Sequence, residues 1–480
     1  MPMTMAVRHW PRRATAHGAP ALPVVGAARR HRSGFWTIAA VFVTAMAFST
    51  VPTPLYPLYQ ARDGFSSFTV TVVFAVYAVG VLTSLLLVGH ISDQIGRKKA
   101  LTAALVAEVI AAGLFLAGHS LPVLIVARFV TGLGVGVLTA AATAHLQDLH
   151  AAQRPGASTR RFEIVSTAAN IGGLGLGPLV AGALAQYFGA PLHLPYVVFG
   201  VLLLAGVAAV ALAPETVDRS AARPAYRPQR VVAGLREPGY PLAAAAGFTS
   251  MAVFGLFTSL APGFVGETLH HPSRALAGLV VFTVFGAAAT AQVLTGRLGD
   301  RSRWAIGLVA QAVGIAAVAI GVHLGSLVLF LLAAIISGVG AGVLFKAAVG
   351  HVAATAAPSR RGEALAGVFL ASYLGLALLP VGLGVATRFL PVTTATAWFA
   401  VLVLALLGAV VVLLARHRGG ESGTRRHGSG SGTRRYGSGS GTRSRGAVSR
   451  TDGAADAAPA GSRLPGDAAS TSARRGRNTP

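Results

Sequence analysis

Ionisable side chains set inside long apolar runs are the residues of this chain best placed to do chemistry, because an isolated charge in apolar surroundings is costly. Glu108 interrupts one such run, Arg128 the next, and Lys346 a third much later in the chain. A carboxylic acid beside a guanidinium can exchange a proton for a countercharge, so Glu108 and Arg128 are candidates for proton handling. Threaded as antiparallel helices, the two runs put these residues at depths differing by roughly 6 Å, and an ion pair between them is expected. The other readings are a static buried pair, or an Arg128 that snorkels outward while Glu108 stays protonated. Lys346 either attracts an anionic ligand or reaches for the membrane surface. Other chemistries are excluded or lack support. The chain has no cysteine, hence no disulfide and no thiolate nucleophile or metal ligand. None of Lys98, Lys99 and Lys346 follows a glycine, so the Gly-Lys step of a phosphate-binding loop is missing. His145 and His351 stand at equivalent run ends, which suits a structural role in each half better than a metal site. No catalytic residue, metal or cofactor is expected, and the chain is not read as an enzyme.

The elements that position these residues are apolar and helical. Of 480 residues, 53% are hydrophobic and 11% charged, against ~25% charged in soluble domains. A bilayer core about 30 Å thick needs ~20 apolar residues per helix. Twelve runs of this kind lie near 35–58, 67–89, 100–118, 121–146, 162–188, 195–213, 241–265, 275–298, 304–323, 326–350, 363–387 and 391–415. The expected fold is therefore an all-α membrane protein with twelve transmembrane helices. The formal charge of +25 gathers in the N-terminal tail, the C-terminal tail and every second loop, while the opposite loops hold only Arg62, Arg274 and Arg388. By the positive-inside rule both termini face the cytoplasm of a cell whose plasma membrane the chain spans. The charge is an insertion signal touching anionic lipid rather than a nucleic-acid surface. The first run has no small-residue cleavage signature and reads as a retained helix. Beyond Arg416 a nine-residue repeat, Ser422-Gly-Thr-Arg-Arg-His and Ser431-Gly-Thr-Arg-Arg-Tyr, cannot bury a core and is expected to be disordered.

The halves repeat. Gly132-Leu-Gly-Val-Gly-Val-Leu through His145 matches Gly338-Val-Gly-Ala-Gly-Val-Leu through His351, Gly89 and Asp93 match Gly296 and Asp300, and Arg160-Arg-Phe-Glu163 matches Arg360-Arg-Gly-Glu363. The expected organisation is a basic tail (1–33), a six-helix half (34–213), a cytoplasmic linker (214–240), a second six-helix half (241–415) and a basic Gly/Ser/Arg tail (416–480), the two halves being pseudo-repeats.

After the second run stands Gly89-His-Ile-Ser-Asp93-Gln-Ile-Gly96-Arg97-Lys98-Lys99, a short turn rich in glycine and charge. It resembles the hallmark loop of the major facilitator superfamily, G-x-x-x-D-R-x-G-R-[RK], with Gln94 in place of the first arginine. The second copy, Gly296-Arg-Leu-Gly-Asp300-Arg301, keeps Asp and Arg without the later glycine. The resemblance implies that Gly89, Asp93, Gly96, Arg97, Lys98, Asp300 and Arg301 form a conformational gate. Asp93 would meet the start of helix 11 near Glu363, and Asp300 the start of helix 5 near Glu163, each at a positive helix end. Arg128-Phe-Val-Thr-Gly132-Leu-Gly134 resembles the superfamily's helix 4 motif, R-x-x-x-G-x-G, whose arginine is linked to proton transfer. Gly173, Gly177, Pro178 and Gly182 fill the pattern G-x-x-x-G-P-x-x-x-G, which resembles the antiporter motif of members that export substrate against protons. Pro214-Glu215-Thr216 looks like a frequent family ending to helix 6.

Helix 1 carries no acidic residue between Gly34 and Gln60, so coupling through helix 1 is not expected. Polar and aromatic positions on helices that line the family's cavity nominate Tyr56, Asn170, Phe254, Phe257, Gln292 and Tyr373, with Arg128, as substrate contacts. The resemblance implies a secondary active transporter, monomeric, that exports a small amphiphilic drug or metabolite in exchange for protons. The alternatives are a proton-coupled importer of a small organic acid or other nutrient, and a membrane sensor or scaffold that does not transport.

Overall fold

The computed structural model describes residues 25–88, 95–216, 235–237, 239–358 and 360–428. Gly89, Asp93 and most of the linker lie outside them, as do the tails up to residue 24 and from residue 429. All regular structure among the described residues is helical, as lipid demands, since a spanning segment must satisfy its own backbone N–H and C=O groups. Among the described residues, twelve helices are long and apolar enough to cross a membrane: α1 (Arg30–Asp63), α2 (Ser67–Leu87), α3 (Arg97–Ala117), α4 (Leu121–Gln153), α5 (Arg160–Tyr187), α6 (Leu194–Leu212), α7 (Tyr240–Ser259), α8 (Arg274–Arg297), α9 (Asp300–His323), α10 (Leu327–Thr355), α11 (Arg361–Ala386) and α12 (Val392–Arg418). At the two ends the helices outrun the apolar runs. Helical backbone begins at Val25, inside the segment read as a tail, and continues to Gly428 instead of stopping near 415. Loss of apolar character marks where lipid ends. A helix goes on until a Pro or a cap stops it, and there is no Pro between Val392 and Gly428.

Three helices depart from regular geometry where they border the centre. In α1, Pro52 and Pro54 lack amide donors, the chain tightens into a 3-10 turn at Thr53–Leu55, and a short helix Tyr56–Asp63 follows, closed by Gly64 at φ 70°. In α5, a π-helical turn at Ala168–Gly172 carries Asn170, and Pro178 lies inside the helix that follows. Pro178 cannot bond the carbonyl of Leu174 four residues back. The Thr50 hydroxyl of α1 donates to that carbonyl at 2.9 Å instead. α11 also holds a proline, Pro380, which frees the carbonyl of Leu376, and Gly255 of α7 approaches that carbonyl too closely for any Cβ.

Glycines also set where the halves meet. A Cβ on Gly182 would strike the Arg274 carbonyl, and one on Gly278 the Pro178 carbonyl. The α5 and α8 backbones therefore touch along a seam at the end of the molecule with few cations. There the Arg274 amide donates to Gln186 Oε1 at 2.9 Å and Arg274 Nη1 to the Ala185 carbonyl at 3.1 Å. α2 and α11 close the same end, with the Arg388 guanidinium 4.7 Å from the centre of the Phe68 ring. At the arginine-rich end, by contrast, a space of about 620 Å³ lies between α5, α8 and α10, bordered by Arg160, Glu163, Arg297 and Lys346.

Candidate functional site: a cavity between the halves

Four helices of each half, α1, α2, α4 and α5 facing α7, α8, α10 and α11, surround a central cavity. Its walls are largely aromatic. Phe254 of α7 and Phe285 of α8 stack at 4.8 Å and 13°, and Phe345 of α10 meets Phe369 of α11 edge to face at 6.0 Å. The polar groups on the wall besides Arg128 are Thr50, Thr139, Asn170, Thr258, Gln292 and the hydroxyls of Tyr77 and Tyr373, and Gln292 Nε2 donates to the Gly342 carbonyl at 3.0 Å.

Arg128 is the only charged residue among those lining the cavity, and it is 1% exposed. Its Nη1 donates to the Ser49 carbonyl at 2.7 Å. Ser49 stands in the last turn of the first α1 segment, Val25–Thr50, where carbonyls lack intrahelical partners. The guanidinium carbon lies 4.7 Å from the centre of the Tyr77 ring and 5.7 Å from that of Phe74, while Nε and Nη2 have no hydrogen-bond partner. The expected pair with Glu108 is not formed. Glu108 is 0% exposed, neither carboxylate oxygen has a partner, and it packs against Gly134, where an added Cβ would come within 2.7 Å of Oε1. Gly134 follows Arg128 by six residues, roughly 9 Å along α4. Helix register is set by packing, and counting depth from the ends of apolar runs misses it here by about 3 Å, some two residues of helix.

A central cavity is thus bounded by helices of both repeats. A family model of the Major Facilitator Superfamily matches residues 37–271 and again 242–455. The chain belongs to the Major Facilitator Superfamily. Solved superfamily members share its fold. The human organic anion transporter MFSD10 (TETRAN) aligns with a TM-score of 0.60 at 16% identity, covering 79% of this chain and 99% of that one. The nucleoside transporter NupG gives 0.62 at 14%, covering 79% and 99%. A bacterial homolog of the human lysosomal transporter Spinster, in an inward-facing and unoccupied conformation, gives 0.59 at 14%, covering 81% and 95%. At these identities the likeness is one of fold alone. A comparison with curated proteins found no match. As a superfamily member the chain is a multi-pass membrane transporter, and the double match of one family model agrees with its internal repeat.

The superfamily's loop between α2 and α3 is described from Ile95 onward. Gly96 has φ 101°, and the Glu215 carboxylate accepts from the backbone amides of Arg97 at 3.1 Å and Lys98 at 3.3 Å. This caps the positive N-terminus of α3. Asp148 of α4 accepts from Arg97 Nε at 3.2 Å and from the Thr216 hydroxyl at 3.0 Å, and His145 Nε2 bonds the Pro214 carbonyl at 2.9 Å. The segment Pro214-Glu215-Thr216, a faint signal in the sequence, thus ties the exit of α6 to α3 and α4. In the second half Glu237 accepts from the Ala357 amide at 3.1 Å and pairs with Arg360 at 3.4 Å. Asp300 does not reach α5. Its side chain is 82% exposed and pairs with Arg303 at 2.6 Å, Arg301 beside it is exposed, and Glu163 accepts from the Thr159 hydroxyl at 2.7 Å. This is the end where a space separates α5 from α8, so the contact expected from the resemblance has no surface to form on.

Among the residues nominated for the cavity, Asn170, Phe254, Gln292 and Tyr373 lie on its wall and Tyr56 and Phe257 do not. Phe257 turns toward Phe330 of α10, ring centres 5.8 Å apart. Tyr56 falls beyond the 3-10 turn and is buried. Thr50, Tyr77, Phe285, Phe345 and Phe369 also line the cavity, and sequence reasoning passed over them because aromatics and threonines are ordinary in membrane helices. Gly173 and Gly177 pack on α1, whereas Gly182 and the Pro178 carbonyl form the seam with α8. Lys346 Nζ donates to the Gln292 carbonyl at 2.6 Å and borders the space at the arginine-rich end. No group of three or more His, Cys, Asp or Glu side chains among the described residues is arranged to hold a metal.

Proposed function

We propose that this transporter exports a small amphiphilic drug or metabolite from the cell in exchange for protons, working as a monomer in the plasma membrane with both termini in the cytoplasm. The observation that carries this reading is the cavity itself, enclosed by eight helices of two repeats and sealed at one end by the α5–α8 backbone seam. With the arginine-rich end in the cytoplasm, the seam is the outer gate and the space between α5, α8 and α10 is the inner entrance. Rocking the halves would open the seam and close that space. The kink at Pro178 supports export, since Gly173, Gly177, Pro178 and Gly182 build both the joint to α1 and the outer gate.

Glu108 and Arg128 supply the coupling. An unpaired charge is costly in this interior, so a proton leaves Glu108 only as Arg128 or water reaches the carboxylate. Arg128, tied to Ser49 in α1, moves with the helix that the gate displaces. In proteoliposomes, Glu108→Gln is expected to abolish the dependence of substrate flux on a pH gradient, with flux down the substrate gradient retained. Flux still driven by pH in that variant would remove Glu108 from the mechanism. Proton-coupled import of a small organic acid is the second reading, favoured by Arg128 being the only charged group on the cavity wall.

A further inference from the structure

We infer that the cavity takes a flat aromatic monocarboxylate, held by a two-point bond from Nε and Nη2 of Arg128. The inference deepens the second reading above and rests on this cavity being the transport site. Its starting point is which donors of Arg128 are used. Nη1 bonds Ser49, and Tyr77 covers one face of the guanidinium at 4.7 Å. The two nitrogens without partners, Nε and Nη2, share one edge, and their N–H bonds run parallel at the spacing of the two oxygens of a carboxylate. Leaving that edge unpaired in a buried site is costly. Among the described residues no acidic side chain bonds that edge: Glu108 packs against Gly134, its oxygens without a hydrogen-bond partner, and none of the lining residues is acidic.

The rest of the wall sets the shape of the ligand. The stacked rings of Phe254 and Phe285, with Phe345 and Phe369 beside them, present the flat and edge surfaces on which an aromatic body packs with offset or edge-to-face geometry. The carboxylate therefore lies on the α4 side and the ring system on the side of α7 and α8. An amine in the same place would meet Arg128 as a like charge with no counterion, which sets this cavity against cationic amphiphiles.

The test measures equilibrium binding of tritiated naphthoate to the full-length protein in lipid nanodiscs, with naphthamide, naphthylmethylamine and decahydronaphthoate as competitors. The acid is expected to bind about tenfold or more tightly than the amide, as a charged hydrogen-bond pair implies. The saturated acid should bind several-fold more weakly than naphthoate, and the amine should not compete. In Arg128→Gln the acid should fall to the affinity of the amide. Equal affinities of acid and amide in the unaltered protein would overturn the inference without recourse to any variant. So would a folded Arg128→Gln protein that keeps the preference for the acid. Neutral compounds that dissipate a pH gradient through the protein while naphthoate fails to bind would sink this inference and leave the transporter reading in place.

Discussion

Two ionisable side chains, Glu108 and Arg128, sit on neighbouring helices, fully buried and not in contact, each with polar atoms left unpaired. Arg128 borders the cavity and Glu108 does not; the acid packs instead against Gly134. Their types were legible in the sequence because acids and bases are rare inside apolar runs. Their partners were not, because the carbonyl of Ser49 and the faces of Tyr77 and Gly134 reach them through packing of separate helices. The same distinction separates Phe254 from Phe257, three residues apart on α7. Phe254→Ala is expected to raise the KM for transport several-fold and also to lower the melting temperature, since the ring is 3% exposed and stacks on Phe285. Phe257→Ala should leave KM within a few fold and cost about 3–5 kcal/mol of stability, as for other fully buried aromatics. Kinetics and thermal melting of the two purified variants check this, and a reversed pattern would place the cavity wall elsewhere.

At the scale of elements, three helices that border the cavity contain prolines past their first turn, and in α5 the carbonyl that Pro178 frees is bonded by a neighbouring helix. The spacing of Gly173, Gly177, Pro178 and Gly182 could be read directly, since a kink and a close-packed face are local properties. That Thr50 completes the kink could not, because it lies 124 residues from Leu174 and meets it only once α1 and α5 are packed. Thr50→Val, nearly isosteric, is expected to cost about 1–3 kcal/mol by leaving the Leu174 carbonyl unbonded, whereas Thr50→Ser keeps the donor and should melt like the parent. The Glu215 cap on α3 is another contact between distant segments. Glu215→Ala should lower stability by about 1 kcal/mol, the usual cost of a lost cap, and an unchanged melting temperature would show that water serves those amides equally well.

For the whole molecule, hydropathy, the repeat and the loop charges were enough to read twelve helices in two related halves, because each spanning helix must be apolar along its own length. Which end is closed could not be read, since it depends on whether α5 meets α8 or Asp300 meets α5, and one sequence supports both. The structure has the α5–α8 seam formed and the Asp300 carboxylate turned to Arg303. The central claim is that this state alternates with its opposite, carrying substrate one way and protons the other. Everted membrane vesicles with an acidic interior test it most directly, by following the pH gradient as cationic, neutral and anionic amphiphiles are added and comparing with vesicles that lack the protein. The account predicts that at least one compound collapses the gradient only when the protein is present. A gradient untouched by the whole series, in vesicles shown to contain the folded protein, would contradict proton-coupled export.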